Sequence, residues 1–238
     1  MKINFNYIKA IIIIGLVMFL YGFAERRNND RKLNKIEVQF IQFENLYVTE
    51  EAVNKLLIQN KVGATSVGKE ALDLNRVESI LNNHDMIENA EVFLTLDGTL
   101  KTKISQRKPI GRVLGNEIYY IDRLGNKMPR SQFYSARVPI LKGVEEKDLK
   151  NVYPLLDYIS RDKFLTEHIT SISKGRSGAY KLELRKMDFE LFFGKAERIG
   201  DKFNNFKAFY KKALKDDILN TYNMVDLQFG NQVVCTKK

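Results

Sequence analysis

Cysteine is almost missing from this 238-residue chain, in which Cys235 stands alone. A single thiol excludes an internal disulfide and a cysteine-based zinc site. It leaves the role of a small apolar residue in a strand, or a pairing with another chain if the protein is exported. Histidine is nearly as scarce: His84 and His168 are the only two, which speaks against a histidine triad or a multi-histidine metal centre. No GxSxG, P-loop, HExxH or GxGxxG occurs. Lys and Arg number 39 against 29 Asp and Glu, yet no block of five or more Lys/Arg is present. The net charge of +10 favours anionic partners such as lipid, cell-wall polymer or nucleic acid. Nucleic-acid binding needs positive charge gathered on a face or stripe, and here it is spread along the chain.

Long hydrophobic runs are also rare. The exception is Ala10–Ala24, AIIIIGLVMFLYGFA, which carries no charge. Its fifteen residues rise about 22 Å as a helix, short of a hydrocarbon core of about 30 Å. Extension back through Ile8, Tyr7, Phe5 and Ile3 lengthens it, with Lys9 snorkelling and Tyr7 and Tyr21 as interfacial anchors. The segment is therefore expected to span a membrane over residues 10–24, or from near residue 3. The same residues fit a cleavable signal peptide cut after Ala24. Lys2 and Lys9 precede the run while Arg26, Arg27, Arg31, Lys32 and Lys35 follow it. Counted literally, this charge bias puts the large C-terminal part in the cytoplasm, although long domains are exported largely regardless of charge.

Residues 25–35 are polar and read as a linker. Ile36–Phe40 alternates as a strand. Thr49 is placed as the N-cap of a helix with Ala52, Val53, Leu56 and Leu57 on one face. Asn60–Lys69 reads as a loop with Gly63 and Gly68. Asn75 and Glu78 have capping-box spacing before a stripe of Val77, Ile80 and Leu81. Ala90, Val92, Leu94 and Leu96 alternate, Asp97-Gly98 turns, and Leu100, Thr102 and Ile104 alternate on the return. Residues 36–106 thus read strand–helix–helix–strand–strand. Pro109 opens a second region. Glu117–Asp122, Val138–Leu141, Ile169–Ser173, Ala179–Arg185 and Phe189–Phe193 read as strands, the later ones with one wet face. Leu149–Lys163 and Asp201–Lys215 read as helices. In the second, Phe203, Phe206, Tyr210, Ala213 and Leu214 share a face and five lysines fill the rest. That helix is expected to pack on its own sheet rather than lie on a membrane. Asn223–Phe229 and Gln232–Thr236 read as a final strand pair around Gly230-Asn231.

No residue set converges on catalysis. Asp122 before Leu124-Gly125-Asn126 reads as a turn cap. Asp216-Asp217 reads as solvated surface, and His84 as a residue closing a helix. No catalytic residue, cofactor, metal or small-molecule substrate is expected.

ENAEVFLTLDGTLKTKISQRKP resembles the closing hairpin of a POTRA domain. YYIDRLGN, VPILKG and, further on, MVDLQFGNQVV follow it in order. With the apolar segment, this order is similar to the FtsQ/DivIB family of bacterial cell-division proteins over about residues 8–236. The resemblance implies an α+β protein: a cytoplasmic tail at 1–9, a transmembrane helix at 10–24, a linker at 25–35, a β-α-α-β-β POTRA domain at 36–107 and a mostly antiparallel β domain at 108–238. It implies a single-pass protein of the inner membrane with its domains outside. It implies a non-enzymatic divisome scaffold that binds FtsB- and FtsL-type proteins by adding a partner strand to the terminal edge of the β domain. The matching positions are Tyr222, Met224, Val225, Leu227, Phe229, Gly230, Gln232, Val233 and Val234. No Pro protects that edge, as a sheet normally would; the bland alternative is a last strand inside the sheet or under the Lys-rich helix. Two other functions stand beside this one: a POTRA-type accessory of protein transport, and a secreted cell-wall-associated protein released after Ala24.

Overall fold

The computed structural model describes residues 5–29, 35–41, 47–59, 73–230 and 232–238. Two compact units make up the chain, Met1–Gln106 and Arg107–Lys238.

Helix α1 (Phe5–Asn29) opens the first unit. Lys9 bounds its uncharged stretch on one side, and Glu25 and Arg26 on the other. Among the described residues no helix is long and apolar enough to cross a membrane. The physical reason is length: the charge-free run rises only about 22 Å. This corrects the expected transmembrane segment at 10–24. It equally removes the support for a single-pass inner-membrane protein with a cytoplasmic tail and external domains. Residues 25–29 of the expected linker continue the helix, and 30–34 lie outside the described residues.

The rest of this unit is β1 (Lys35–Phe40), α2 (Glu50–Gln59), α3 (Leu74–Asn82), β2 (Ile87–Leu94) and β3 (Thr99–Gln106). Strand β3 is central, parallel to β1 and antiparallel to β2. The β2–β3 hairpin forms where Asp97-Gly98 predicts it. Gly98 takes a φ of +84°, which costs a glycine little, and its N–H donates to Thr95 O at 3.1 Å. Thr49 caps α2, its Oγ1 accepting from Ala52 N at 3.2 Å. The cap of α3 is Asp73 rather than Asn75, with Oδ1 accepting from Arg76 N at 3.0 Å. Val53, Leu57, Val77, Leu81, Ala90 and Ile104 form the core of this unit. The expected loop at 60–69 lies outside the described residues.

The second unit is built on one nine-stranded sheet. Its strands are β4 (Pro109–Leu114), β5 (Ile118–Asp122), β6 (Lys127–Met128), β7 (Ile140–Lys142), β8 (Ile169–Lys174), β9 (Tyr180–Leu184), β10 (Glu190–Gly194), β11 (Tyr222–Asp226) and β12 (Val234–Lys237). Their order is β12-β11-β10-β9-β8-β7-β4-β5-β6. The sheet is mixed: β4·β7, β7·β8 and β10·β11 are parallel. The fold class is therefore α+β with mixed sheets. Helices α4 (Leu149–Arg161), α5 (Lys163–His168) and α6 (Ile199–Lys215) supply the other layer of the core. The single helix expected over 149–163 ends early because Asp162 turns extended and caps α5, accepting from Leu165 N at 3.0 Å. Gly111 leaves room for the same layer, since a Cβ there would stand 3.1 Å from Leu156 of α4.

Helix α6 buries Phe203, Phe206 and Ala213. Leu214, expected on that face, is exposed, whereas Lys202 is buried. Lys202 lies four residues before Phe206 and so shares its row. Its ammonium donates to Phe193 O at 2.9 Å and Lys195 O at 2.8 Å, and sits 4.6 Å from the Phe193 ring centroid. Burial, and then nearby Arg198, lower its pKa. Asp122 caps the β5–β6 turn as expected, with Oδ1 accepting from Leu124 N and Asn126 N at 3.0 and 2.7 Å.

Candidate functional site

The second sheet ends at β12, which pairs with β11 alone. The register runs Asp226↔Val234, Val225↔Cys235, Met224↔Thr236 and Tyr222↔Lys237. Lys238 N donates to Thr221 O at 2.9 Å, so this N–H points at β11. Backbone groups alternate in direction along a strand. Those of Val234 and Thr236 therefore also face β11, and those of Cys235 and Lys237 face the open edge. The edge strand is short, and it offers unpaired N–H and C=O groups in the plane of the sheet.

The expected final hairpin is looser than its sequence suggests. Strand β11 stops at Asp226, and residues 227–233 form the connection. Asp226 Oδ1 accepts from Gln228 N at 2.8 Å, a short-range turn that competes with the ladder. Two contacts hold the loop to its surroundings. Leu227 N donates to Phe192 O at 2.9 Å, and Asn205 Nδ2 of α6 donates to Gly230 O at 3.0 Å. A Cβ on Gly230 would stand 2.9 Å from Arg198 Nη1, so the guanidinium lies close against this part of the loop. Arg198 itself has a φ of +47°, uncommon for a residue with a side chain and shared with Lys186 and Asp217.

The nine sequence-selected residues divide by environment. Val225 and Leu227 are core residues, 0% and 2% exposed, so their side chains face the helices. Tyr222 and Val233 are half-buried against that core. Met224 and Gly230 are half-buried, and Gln232, Phe229 and Val234 are exposed, the last two at 46% and 41%. Asn231 lies outside the described residues.

Register adds side chains that sequence alone did not select. Phe192 pairs with Asp226, and Asp226 with Val234, so the three share the face away from the helices. Glu190, Met224 and Thr236 form the next row on that face. Lys181 to Glu190 at 2.8 Å and Lys142 to Glu183 at 2.7 Å continue it as ion pairs. Alternation within Phe189–Phe193 already signals that Phe192 and Glu190 face away from the core; their neighbours across the sheet are not local information. On the helix side, Cys235 packs partly against the core, and burial pushes its thiol pKa up. Among the described residues no group of three or more His, Cys, Asp or Glu side chains is placed to hold a metal.

The site thus joins an unpaired strand edge to a half-apolar strip and a tethered loop. It can add a strand by main-chain hydrogen bonds and sort partners by side chains. A search among curated proteins finds no match. The family model described as FtsQ/DivIB, C-terminal related matches residues 108–236, which is nearly the whole second unit and more than half of the chain. That family is one of cell-division proteins, and membership is consistent with a non-catalytic role and with divisome protein interactions. The chain belongs to the FtsQ/DivIB C-terminal-related family.

Proposed function

We propose that this protein is a non-enzymatic divisome scaffold that receives a strand from a partner along β12, coupling assembly of the septum to that partner. The observation that carries the reading is the outward backbone of Cys235 and Lys237 at the end of the nine-stranded sheet. The family match supports FtsB- and FtsL-type proteins as its partners. Residues 36–107 are read as a POTRA domain that positions further partners, a role supported by their order β1, α2, α3, β2, β3. Residues 108–238 are read as the binding domain. Phe229 and Val234 are its exposed anchors, and Tyr222, Met224, Gly230, Gln232 and Val233 are the supporting surface.

The test is in-cell photocrosslinking from position 229, in the otherwise unaltered chain and in Cys235→Pro. Proline there removes only an outward N–H, a location where edge strands tolerate it. Capture of an FtsB- or FtsL-type protein is expected from the first and not from the second. Equal capture from both would mean that the partner docks elsewhere.

A further inference from the structure

Charge is divided unevenly along the chain. Residues 1–106 hold 13 Lys and Arg and 13 Asp and Glu, whereas residues 107–142 hold 8 and 2, a net +6 of the chain's +10. This stretch builds β4, β5, β6 and β7, the end of the sheet opposite β12, with the segment 129–139 that joins β6 to β7. Both of its acids are already engaged, Glu117 by Lys127 at 2.7 Å and Asp122 by Arg107 at 3.6 Å. Among the described residues, Arg112, Arg130 and Arg137 meet no carboxylate.

Register sorts the side chains of this end. Arg112 pairs with Tyr120 and Leu114 with Ile118, so these four share one face, while Val113 and Tyr119 point to the core on the other. Tyr120 is buried on the outer face. Its hydroxyl meets Ser135 Oγ at 3.2 Å and accepts from Ala136 N at 3.2 Å, which sets the segment 129–139 over it. Pro139 O accepts from Arg112 N at 2.9 Å, and Ser131 Oγ accepts from Phe133 N at 3.1 Å. The segment is thus tied down along its length, and yet it holds Phe133 and Tyr134 out in solvent, Phe133 at 64% exposure. Leu114 and Ile118 are exposed beside it, on the face away from the helices. A fixed, exposed apolar patch rimmed by charge marks a docking surface.

We infer that this face docks on an anionic lipid surface. Phe133, Tyr134, Leu114 and Ile118 enter the interfacial layer, and Arg130 and Arg137 meet the headgroups. The two classes of side chain together select this occupant. Arginine gains from any polyanion, but exposed leucine and isoleucine gain only where an apolar phase adjoins the charge. A bilayer surface offers both in one plane and asks for no groove. A single-stranded nucleic acid would stack on the aromatic rings and leave Leu114 and Ile118 in water. The contact is peripheral: side chains of one face enter, and no element crosses. It lies at the far end of the sheet from β12, so it stands or falls apart from the strand-edge reading.

The chain has no tryptophan. Phe133→Trp therefore gives a single reporter in the patch, and Leu214→Trp gives one on the exposed face of α6. The full chain is mixed with vesicles whose acyl chains carry bromine, which quenches tryptophan only at near contact. The vesicles are phosphatidylcholine alone, or one part phosphatidylglycerol to two of phosphatidylcholine. Because the readout is local, adsorption through the apolar run of α1 does not register as contact at the patch.

In the anionic vesicles the reporter at 133 is expected to shift to the blue and to be quenched at least about threefold more than the one at 214, with the excess shrinking as salt screens the charges. Phosphatidylcholine alone is expected to quench it less. Arg130→Glu is expected to remove about half of the excess, whereas Lys211→Glu, an equal charge change at an exposed position of α6, leaves it. Equal quenching at the two reporter positions overturns the inference. So does equal quenching by the two kinds of vesicle, or an equal effect of the two charge changes. If polyglutamate or single-stranded RNA alters the emission at 133 more than the anionic vesicles do, the face belongs to an acidic protein or a nucleic acid, and the inference is overturned too.

Discussion

Two of the antiparallel edge strands, β2 and β12, are of opposite design. Strand β2 is the longer, yet α3 guards it. Asn82 Oδ1 accepts from Ala90 N at 2.8 Å, and Asn82 Nδ2 makes a longer contact of 3.4 Å to Ala90 O. A carboxamide thus occupies the outward backbone pair where a neighbouring strand would bond. Glu88 and Glu91 add charge along the same strand, a common deterrent to edge pairing. Strand β12 has neither device: no side chain is bonded to the outward groups of Cys235 and Lys237 among the described residues. Protection of one edge shows that this fold can close such edges, so the bare one gains meaning as a docking feature.

The largest effect that can break the contrast comes from proline on β12. Thr236→Pro removes a ladder donor toward β11 and is expected to cost about 3 kcal/mol of the second unit's stability. Cys235→Pro, one residue away, is expected to cost under about 1 kcal/mol while abolishing partner capture. Chemical denaturation and crosslinking read the two quantities separately. Equal destabilisation by both would contradict the assigned alternation. Next in size, Asn82→Ala strips the guard from Ala90. The expected loss is about 1–3 kcal/mol for an unsatisfied backbone group, with more self-association than in the parent chain. Sedimentation at increasing concentration checks it, and a profile unchanged from the parent's would mean that β2 is protected by its charges instead.

The two units should also part on acidification. His84 of the first unit is held below its ordinary pKa by burial, and its Nδ1 accepts from Met86 N at 3.2 Å. A base with a depressed folded pKa contributes stability above its unfolded value, about 6.5, and loses it as pH falls through the folded one. Asp148 of the second unit is held below the usual carboxylate range, first by the hydrogen bond to Lys174. Its contribution is present above about pH 4 and lost as pH falls further. Amide exchange is thus expected to show the first unit weakening from about pH 6.5 and the second holding until about pH 4. His84→Gln should flatten the first of these, and an unaltered profile would exclude His84 as its source. The smallest change expected is Leu214→Ser, away from both edges: within about 0.5 kcal/mol, because the side chain is exposed. A larger loss in thermal melts would mean that α6 buries that position after all.

Local chemistry made much of this legible in the sequence. The Asp97-Gly98 hairpin, the Thr49 cap, the Asp122 turn and the Phe203–Phe206 stripe depend on residues close in the chain, and each is where the pattern puts it. What sequence missed is set by distant partners. Nothing local tells that β10 pairs in parallel with β11 across α6, so Phe192 and Glu190 could not be joined to the edge. Lys202 reads as a surface lysine until two carbonyls of the β10 end are found beneath it. The apolar run at 10–24 is plain in the sequence, but its charge-free length of about 22 Å falls short of a hydrocarbon core, and no described helix is long and apolar enough to cross a membrane. Val225 and Leu227 entered the candidate site through family resemblance, which marks a stretch of chain without separating its two faces.

Within the sheet β12 pairs with β11, and β11 joins the sheet through its parallel pairing with β10, after the chain has passed through α6. Such a pairing closes a long loop and forms late, because the entropy of closure precedes the reward. The edge proposed above for recognition is therefore expected to be completed late in building its own domain. On that proposal a half-folded chain would have no such edge to offer a partner, and binding would double as a test that folding is complete.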